Sequence, residues 1–316
     1  MSQTNTVSSQ HDDYDLSIVI VNHNGRAVLP RCLEAIEHSA DGLRIESIVV
    51  DNASDDGSPY LPCCLKENVR VVSLSKNVGF GQANNTGVQA ARGKYHLLLN
   101  TDCFVQPGLF RALIKCLEEH PDTAIVGPRL LNEDDTLQPS CHNFPSPLVF
   151  ILEQSMLWKL IKYLPSRAGD LLQIAGKHSK SSEVDWLSGA CMLVRPSAFS
   201  EVGGFDSRFF FYWEEADLCM RLREQGWKTR FEPSARAIHI GGGSTKDAAM
   251  LLNFFRSLYR FYGKHYSRRQ FVVMRAIVRL MSILKAARLA ISTLAGSHSR
   301  EAKLEQALTW ARAARL

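Results

Sequence analysis

His96-Leu97-Leu98-Leu99-Asn100-Thr101-Asp102-Cys103-Phe104-Val105 is the stretch on which the reading of the chain turns. An apolar run stops at Asn100 and Asp102, and Pro107-Gly108 then opens a helical pattern. A buried strand ending this way delivers a carboxylate to the loop beyond its C-terminal end. Open α/β sheets bind their ligands along that edge.

Upstream, residues 16–21 (LSIVIV) are too few for a helix and apolar on both faces, the pattern of a strand inside a parallel sheet. Asn22-His23-Asn24-Gly25 breaks the run, and residues 26–39 carry Val28, Leu29, Cys32, Leu33 and Ile36 at a helical period. A second strand over 47–50 ends in Asp51-Asn52-Ala53-Ser54-Asp55-Asp56-Gly57-Ser58. A third over 69–74 ends in Ser75-Lys76-Asn77-Val78-Gly79-Phe80-Gly81, a helix over 82–91 follows, and the strand 95–100 completes the series. Strands alternating with helices specify an α/β fold, a mostly parallel sheet covered by helices. Any one of Asn22, Asp51, Asn77 and Asp102 is as readily a cap or turn former as a ligand contact. Their recurrence at four successive strand ends points to a binding edge. Gly79-Phe80-Gly81 lacks the third glycine of a dinucleotide fingerprint, which disfavours a dehydrogenase.

The 316 residues, 45% hydrophobic and 22% charged, suit one large domain with an appendage. The net charge of +5 is mild, and no nucleic-acid partner is expected from it. Eight cysteines without a CxxC pair, and no secretory leader, lead us to expect packed thiols in a reducing cytosol. Residues 1–14 are polar and are expected to be a disordered tail. No apolar run approaches the ~20 residues that cross a bilayer.

Downstream, residues 124–128 read as a buried strand and 139–183 as an irregular excursion, either contacting an acceptor or solvated. Residues 184–195 return to strand. There Trp186 offers a stacking face and Gly189 a close approach to a ligand, or else core and bulge respectively. Five aromatics, 209–213, then run into Glu214, Glu215 and Asp217. Apolar surroundings raise a carboxylate's pKa, which suits a base. Residues 216–225 read as a helix closed by Gly226, with Asp217 pairing Arg221 one turn on, leaving Glu214 and Glu215 at the entrance. Strands over 228–231 and 236–240 lead to His239 and a glycine run. From 246 the chain becomes basic, long-helical and amphipathic. That pattern fits an anionic lipid surface, or packing against the preceding domain or a second subunit.

The motifs at 19–22, 49–58, 77–85 and 98–102 together resemble family 2 glycosyltransferases, the bacterial rhamnosyltransferase-like members above all, over roughly residues 16–245. The resemblance implies a GT-A fold over 15–245 with a C-terminal helical extension over 246–316. It also implies inverting sugar transfer from a nucleoside diphosphate, in bacterial surface polysaccharide (O-antigen) synthesis. It implies donor contacts from Asn22, Asp51, Asn77 and Gly79; Asn100 and Thr101 beside the strand end, with Trp186 and Gly189 from their own chemistry, complete the expected nucleotide-sugar site. Asp102 takes the place of the metal-binding acid of a DxD element whose first acid is here Asn100, and His239 lies against the metal or the diphosphate. Glu214-Glu215 stands where the family has its acidic pair, with Glu215 the expected base and Asp217 beside it. Mg²⁺ or Mn²⁺ is the expected cofactor. The expected partners are dTDP-rhamnose, then a UDP-sugar, as donor, a glycan or lipid-linked acceptor, and a second copy or a membrane surface against 246–316. A cytoplasmic or peripheral location accompanies them. The competing reading is a catalytically weak nucleotide-sugar-binding or scaffolding subunit at the membrane, to which Asn100 and Glu215 lend weight.

Overall fold

The computed structural model describes residues 13–147, 150, 180–241, 248–294 and 300–316. Within them the first four apolar runs form β1 (Tyr14–Asn22), β2 (Ile45–Asp51), β3 (Val69–Ser73) and β4 (Gly93–Asn100). They are all parallel, in the order β3-β2-β1-β4. Alternate residues face opposite layers. Ile18, Ile20, Leu97 and Leu99 pack with α1 (Leu29–His38) and α3 (Leu109–Glu119), whereas Val19, Ile48, Val50 and Leu98 pack on the side of α2 (Phe80–Ala90). Coverage on both faces is why these strands are apolar at consecutive positions. α1 shows the matching helical logic, burying Leu29, Cys32, Leu33 and Ile36 on one stripe. Each such large side chain contributes about 1.5–3 kcal/mol by burial.

The second half adds β5 (Cys103–Val105), β6 (Thr123–Leu131), β7 (Leu137–Gln138), β8 (Cys141–His142), β9 (Ser182–Val184), β10 (Trp186–Leu187), β11 (Cys191–Val194) and β12 (Lys228–His239). β11 enters antiparallel between β4 and β6, and the order continues β4-β11-β6-β12-β5. Four strand spacings in a flat sheet are about 19 Å. Only Thr101 and Asp102 separate β4 from β5, and three Cα steps reach at most about 11 Å. The sheet therefore curls until its last strand returns beside its middle. β8 and β10 form a separate antiparallel pair. The two strands expected over 228–231 and 236–240 are one, with a register shift between Glu232 and Arg236. Pro233, which lacks an N–H for the ladder, sits in that shift.

Among the described residues the further α-helices are α4 (Pro196–Glu201), α5 (Glu214–Glu224), α6 (Ala248–His265), α7 (Arg268–Leu294) and α8 (Arg300–Ala313). α6 buries Phe255, Leu258, Phe261 and Tyr262 in the cluster that holds Val19 and Leu98, and the Tyr262 hydroxyl donates to the Pro145 carbonyl at 2.8 Å. Of the alternatives for residues beyond 246, α6 thus packs against the preceding domain, with Phe261 against Phe144 and Trp213. The eight cysteines are free, and all but Cys63 are buried. Among the described residues no helix is long and apolar enough to cross a membrane. The expected tail, up to residue 12, and most of the irregular 139–183 segment lie outside the described residues.

Candidate active site

A cleft of about 780 Å³ opens where the strand ends converge. Asn100, Thr101 and Asp102 line it from the β4–β5 turn, Gly189 from the turn before β11, Glu214 and Glu215 from the start of α5, and His239 from the end of β12. Its position is the one expected of a ligand site in an α/β sheet.

On one side the loops after β1, β2 and β3 are tied together by amides. Asn22 and Asp51 are paired by register, and the Asn22 Nδ2 donates to Asp51 Oδ1 at 3.0 Å, Ser54 Oγ at 3.1 Å and Ser58 Oγ at 2.7 Å. Both are buried, and neither lines the cleft. The loop contacts draw both side chains beneath the floor of the cleft, where they brace the loops that line it. His23, Asn24 and Asn52 line the surface instead. Asn52 Oδ1 accepts from Val78 N at 2.8 Å and its Nδ2 donates to Asn77 Oδ1 at 3.0 Å, so the second loop positions the third. Gly79, at φ +85°, lets the chain pass against the Phe210 carbonyl, which would touch any side chain there.

The curl of the sheet sets His239 opposite Cys103 and so beside Asp102, with Nε2 3.3 Å from Asp102 Oδ1. The Gln138 amide nitrogen donates to Asn132 Oδ1 at 3.0 Å and to the His239 carbonyl at 3.1 Å. Its oxygen is thereby left 2.7 Å from His239 Nδ1, which must donate to it. Nε2 is then the ring nitrogen that faces the Asp102 carboxylate, so one nitrogen and one oxygen donor point to the same place. Burial opposes ionisation of Asp102, but the neighbouring His239 and backbone N–H groups outweigh it and keep the carboxyl below its usual range. Among the described residues no third His, Cys, Asp or Glu joins the pair. The donor set therefore fits a divalent ion that completes its shell from a bound ligand and water.

Across the cleft, Tyr212 and Trp213 both take φ +69°, in the left-handed region that aromatic residues rarely occupy. This turn starts α5 at Glu214, two residues earlier than the sequence pattern suggests, and sets both glutamates in its first turn. Burial pushes Glu215 up to about 7, partly offset by N–H groups including that of Gly189. A side chain at Gly189 would fall on Glu215 Oε1. Glu214 is 1% exposed, and burial with the adjacent Glu215 charge raises it well above the carboxylate range. Both carboxyls are thus held above the ordinary glutamate range.

Trp186 stacks on His142, with ring centroids 4.2 Å apart, and Trp213 lies 6.0 Å from Trp186. Together with Phe210 and Phe254 they give the cleft an aromatic wall. Asp217 is elsewhere. Its carboxylate meets Arg221 Nε at 2.8 Å, Lys264 Nζ at 2.7 Å and His265 Nε2 at 2.7 Å, and it is fully buried. Burial opposes its charge, but these three partners outweigh it and hold Asp217 below the usual range. The expected pairing of Asp217 with Arg221 is present, and Asp217 does not line the cleft. The amphipathic pattern anticipates Arg221 but not Lys264 or His265. Asn52, adjacent to a motif acid, is within reach of sequence reasoning, whereas Gln138, just ahead of the irregular stretch, and His142 carry no signal.

Comparison with known proteins matches residues 17–203 to the family model described as Glycosyl transferase family 2, and residues 173–295 to one described as Glycosyl transferase family group 2. The N-acetylglucosaminyl-diphospho-decaprenol L-rhamnosyltransferase of Mycobacterium tuberculosis is 29% identical over 304 residues, 92% of this chain and 97% of that protein. Rhamnosyltransferase WbbL of Escherichia coli is 29% identical over 258 residues, 78% of this chain and 89% of that protein. Among solved structures, GalNAc-T7 with UDP, GalNAc and Mn²⁺ superposes with a TM-score of 0.55 at 16% identity over 93% of this chain. Staphylococcus aureus TarS superposes with a TM-score of 0.51 at 11% identity over 94%. The chain spans about half of each of these two, 54% and 49%. They share its fold.

Proposed function

Because the chain belongs to glycosyl transferase family 2 and is a glycosyltransferase of the GT-A fold, we propose that it moves rhamnose from a nucleoside diphosphate to a lipid-linked acceptor with inversion. The observation that carries this reading is a single cleft containing both Glu215, titrating at about 7, and the Asp102–His239 pair. The names of the two rhamnosyltransferase relatives support the sugar, and that of the mycobacterial one a lipid diphosphate acceptor. dTDP is the first carrier to test and UDP the second. The setting is surface polysaccharide synthesis at the cytoplasmic face of a membrane.

Glu215 takes the proton of an acceptor hydroxyl as that oxygen bonds to the anomeric carbon. The bond from that carbon to the diphosphate oxygen breaks on the opposite face, and its electron pair leaves with the diphosphate. Asp102 and His239 would hold Mg²⁺ or Mn²⁺, whose chemistry when bound is to neutralise charge on the diphosphate. Burial and the adjacent Glu215 charge favour the protonated form of Glu214. Trp186 and Trp213 present faces suited to a sugar ring, and Asn52, Asn77 and Asn24 present hydrogen-bonding groups to the nucleotide.

The test is a thermal-shift panel of dTDP-, UDP- and GDP-sugars with and without Mn²⁺, followed by transfer to an N-acetylglucosaminyl-diphospho-polyprenol and NMR of the product's anomeric proton. Stabilisation by dTDP-rhamnose and an inverted product are expected. Retained configuration overturns the mechanism, and stabilisation without turnover favours the scaffolding reading.

A further inference from the structure

The outer face of α7 has no use in the site described above. Along this 27-residue helix Val273, Leu280, Ile283, Leu284 and Ile291 follow one another at helical spacing, and the last four are 59%, 55%, 59% and 66% exposed. The opposite side buries Met274, Val278 and Ser282, so the stripe is the outward one. Exposed Arg268, Arg269, Arg279 and Arg288 accompany it, and residues 268–294 contain no Asp or Glu. An apolar stripe about 27 Å long, from Val273 to Ile291, is far larger than the scattered hydrophobics of an ordinary surface.

We infer that this face of α7 seats the protein on an anionic lipid surface. The charge selects the occupant. A second copy using the same face would bring arginines against arginines, and a neutral apolar partner would leave them unanswered. Acidic headgroups take up the arginines while the acyl boundary takes the stripe. Since α7 is not apolar enough to span, it lies in the interface plane. The seat is also braced to the cleft. Phe255 of α6 meets Trp310 of α8 at 5.7 Å, Tyr259 of α6 meets Phe271 of α7 at 6.1 Å, and Met250 and Phe254 of the same α6 line the cleft. A lipid-borne acceptor would then meet the cleft at a fixed height; that consequence, unlike the seat, rests on the acceptor reading above.

The experiment is co-sedimentation of the full chain with phosphatidylcholine vesicles, with and without roughly 30% phosphatidylglycerol, in the absence of donor and acceptor. Binding about tenfold stronger to the anionic vesicles, weakening with salt, is expected. The triple variant Leu280→Ser, Ile283→Ser, Leu284→Ser should lose about tenfold in binding with an unchanged melting temperature and unchanged transfer to a water-soluble acceptor analogue. Equal binding of variant and wild type overturns the proposal. So does the absence of anionic binding, or a dimer in light scattering that the triple variant dissociates. With no substrate present, failure here leaves the transfer reading standing, and loss of transfer with binding intact counts against that reading alone.

Discussion

His265 Nε2 lies 2.7 Å from Asp217 Oδ1, and this contact joins α6, beyond the sheet, to α5, the helix that presents Glu214 and Glu215. Arg221, which shares the carboxylate, also donates to the Val202 and Gly204 carbonyls at 2.7 Å each. One buried acid thus ties the glutamate helix to the α4–α5 connection and to the C-terminal helices.

Asp217→Ala should therefore destabilise the protein by about 3–5 kcal/mol, because it leaves Arg221, Lys264 and His265 without their shared anion. Denaturant unfolding measures the loss. Glu224→Ala on the same helix, which removes an exposed contact to His265 Nδ1 at 3.6 Å, should cost less than about 1 kcal/mol.

Glu215→Gln should reduce kcat by about a thousandfold while leaving donor binding intact. For the wild type, kcat/KM should rise with pH and level off above about 7, where Glu215 is ionised. Stability should respond in the opposite sense. The folded value lies above the ordinary 4.5, so the stability linked to the protonated form is complete below 4.5 and lost as pH rises through about 7. Glutamine mimics the protonated form. The variant should match wild type near pH 5 and exceed it at pH 8 by on the order of 2–3 kcal/mol, read from melting curves at the two pH values.

Gly189→Ala sets a methyl group on Glu215 Oε1 and must displace the carboxylate. A fall in kcat of about a hundredfold with little change in melting temperature is expected, since a shift near 1 Å in a reacting group costs that much. Parallel loss of fold and activity would count against this account.

Gln138→Leu removes the acceptor that fixes the His239 tautomer. The Mn²⁺ concentration giving half-maximal thermal stabilisation in the presence of donor should rise by about tenfold. An unchanged metal response would leave Gln138 a strand-end residue only.

Much of this arrangement was legible before any coordinates. β1 to β4 announce themselves as short apolar runs cut by polar loops, because a strand covered on both faces has no polar position to offer. Asp102, Glu215 and His239 do reach one cleft, Asp102 and His239 at strand ends that the pattern locates. Other features depend on distance along the chain. Nothing near Asp217 indicates Lys264 or His265, and nothing near His239 indicates Gln138. The start of α5 was obscured because its entry turn uses Tyr212 and Trp213 at positive φ, where a glycine or asparagine would have marked it. β12 read as two strands because Pro233 interrupts its ladder but not its course.

The curled sheet has a consequence for how the protein comes into being. Asp102 leaves the ribosome long before His239, and among the described residues the strand bearing His239 is the last in chain order. β1 to β4 pair through nearby segments, but the join between β5 and β12 closes a loop of more than a hundred residues, a costly late step in chain entropy. The parallel half can collapse early during synthesis, while the cleft with its Asp102–His239 pair awaits that final closure. A partly made chain would therefore hold a sheet without yet holding an enzyme.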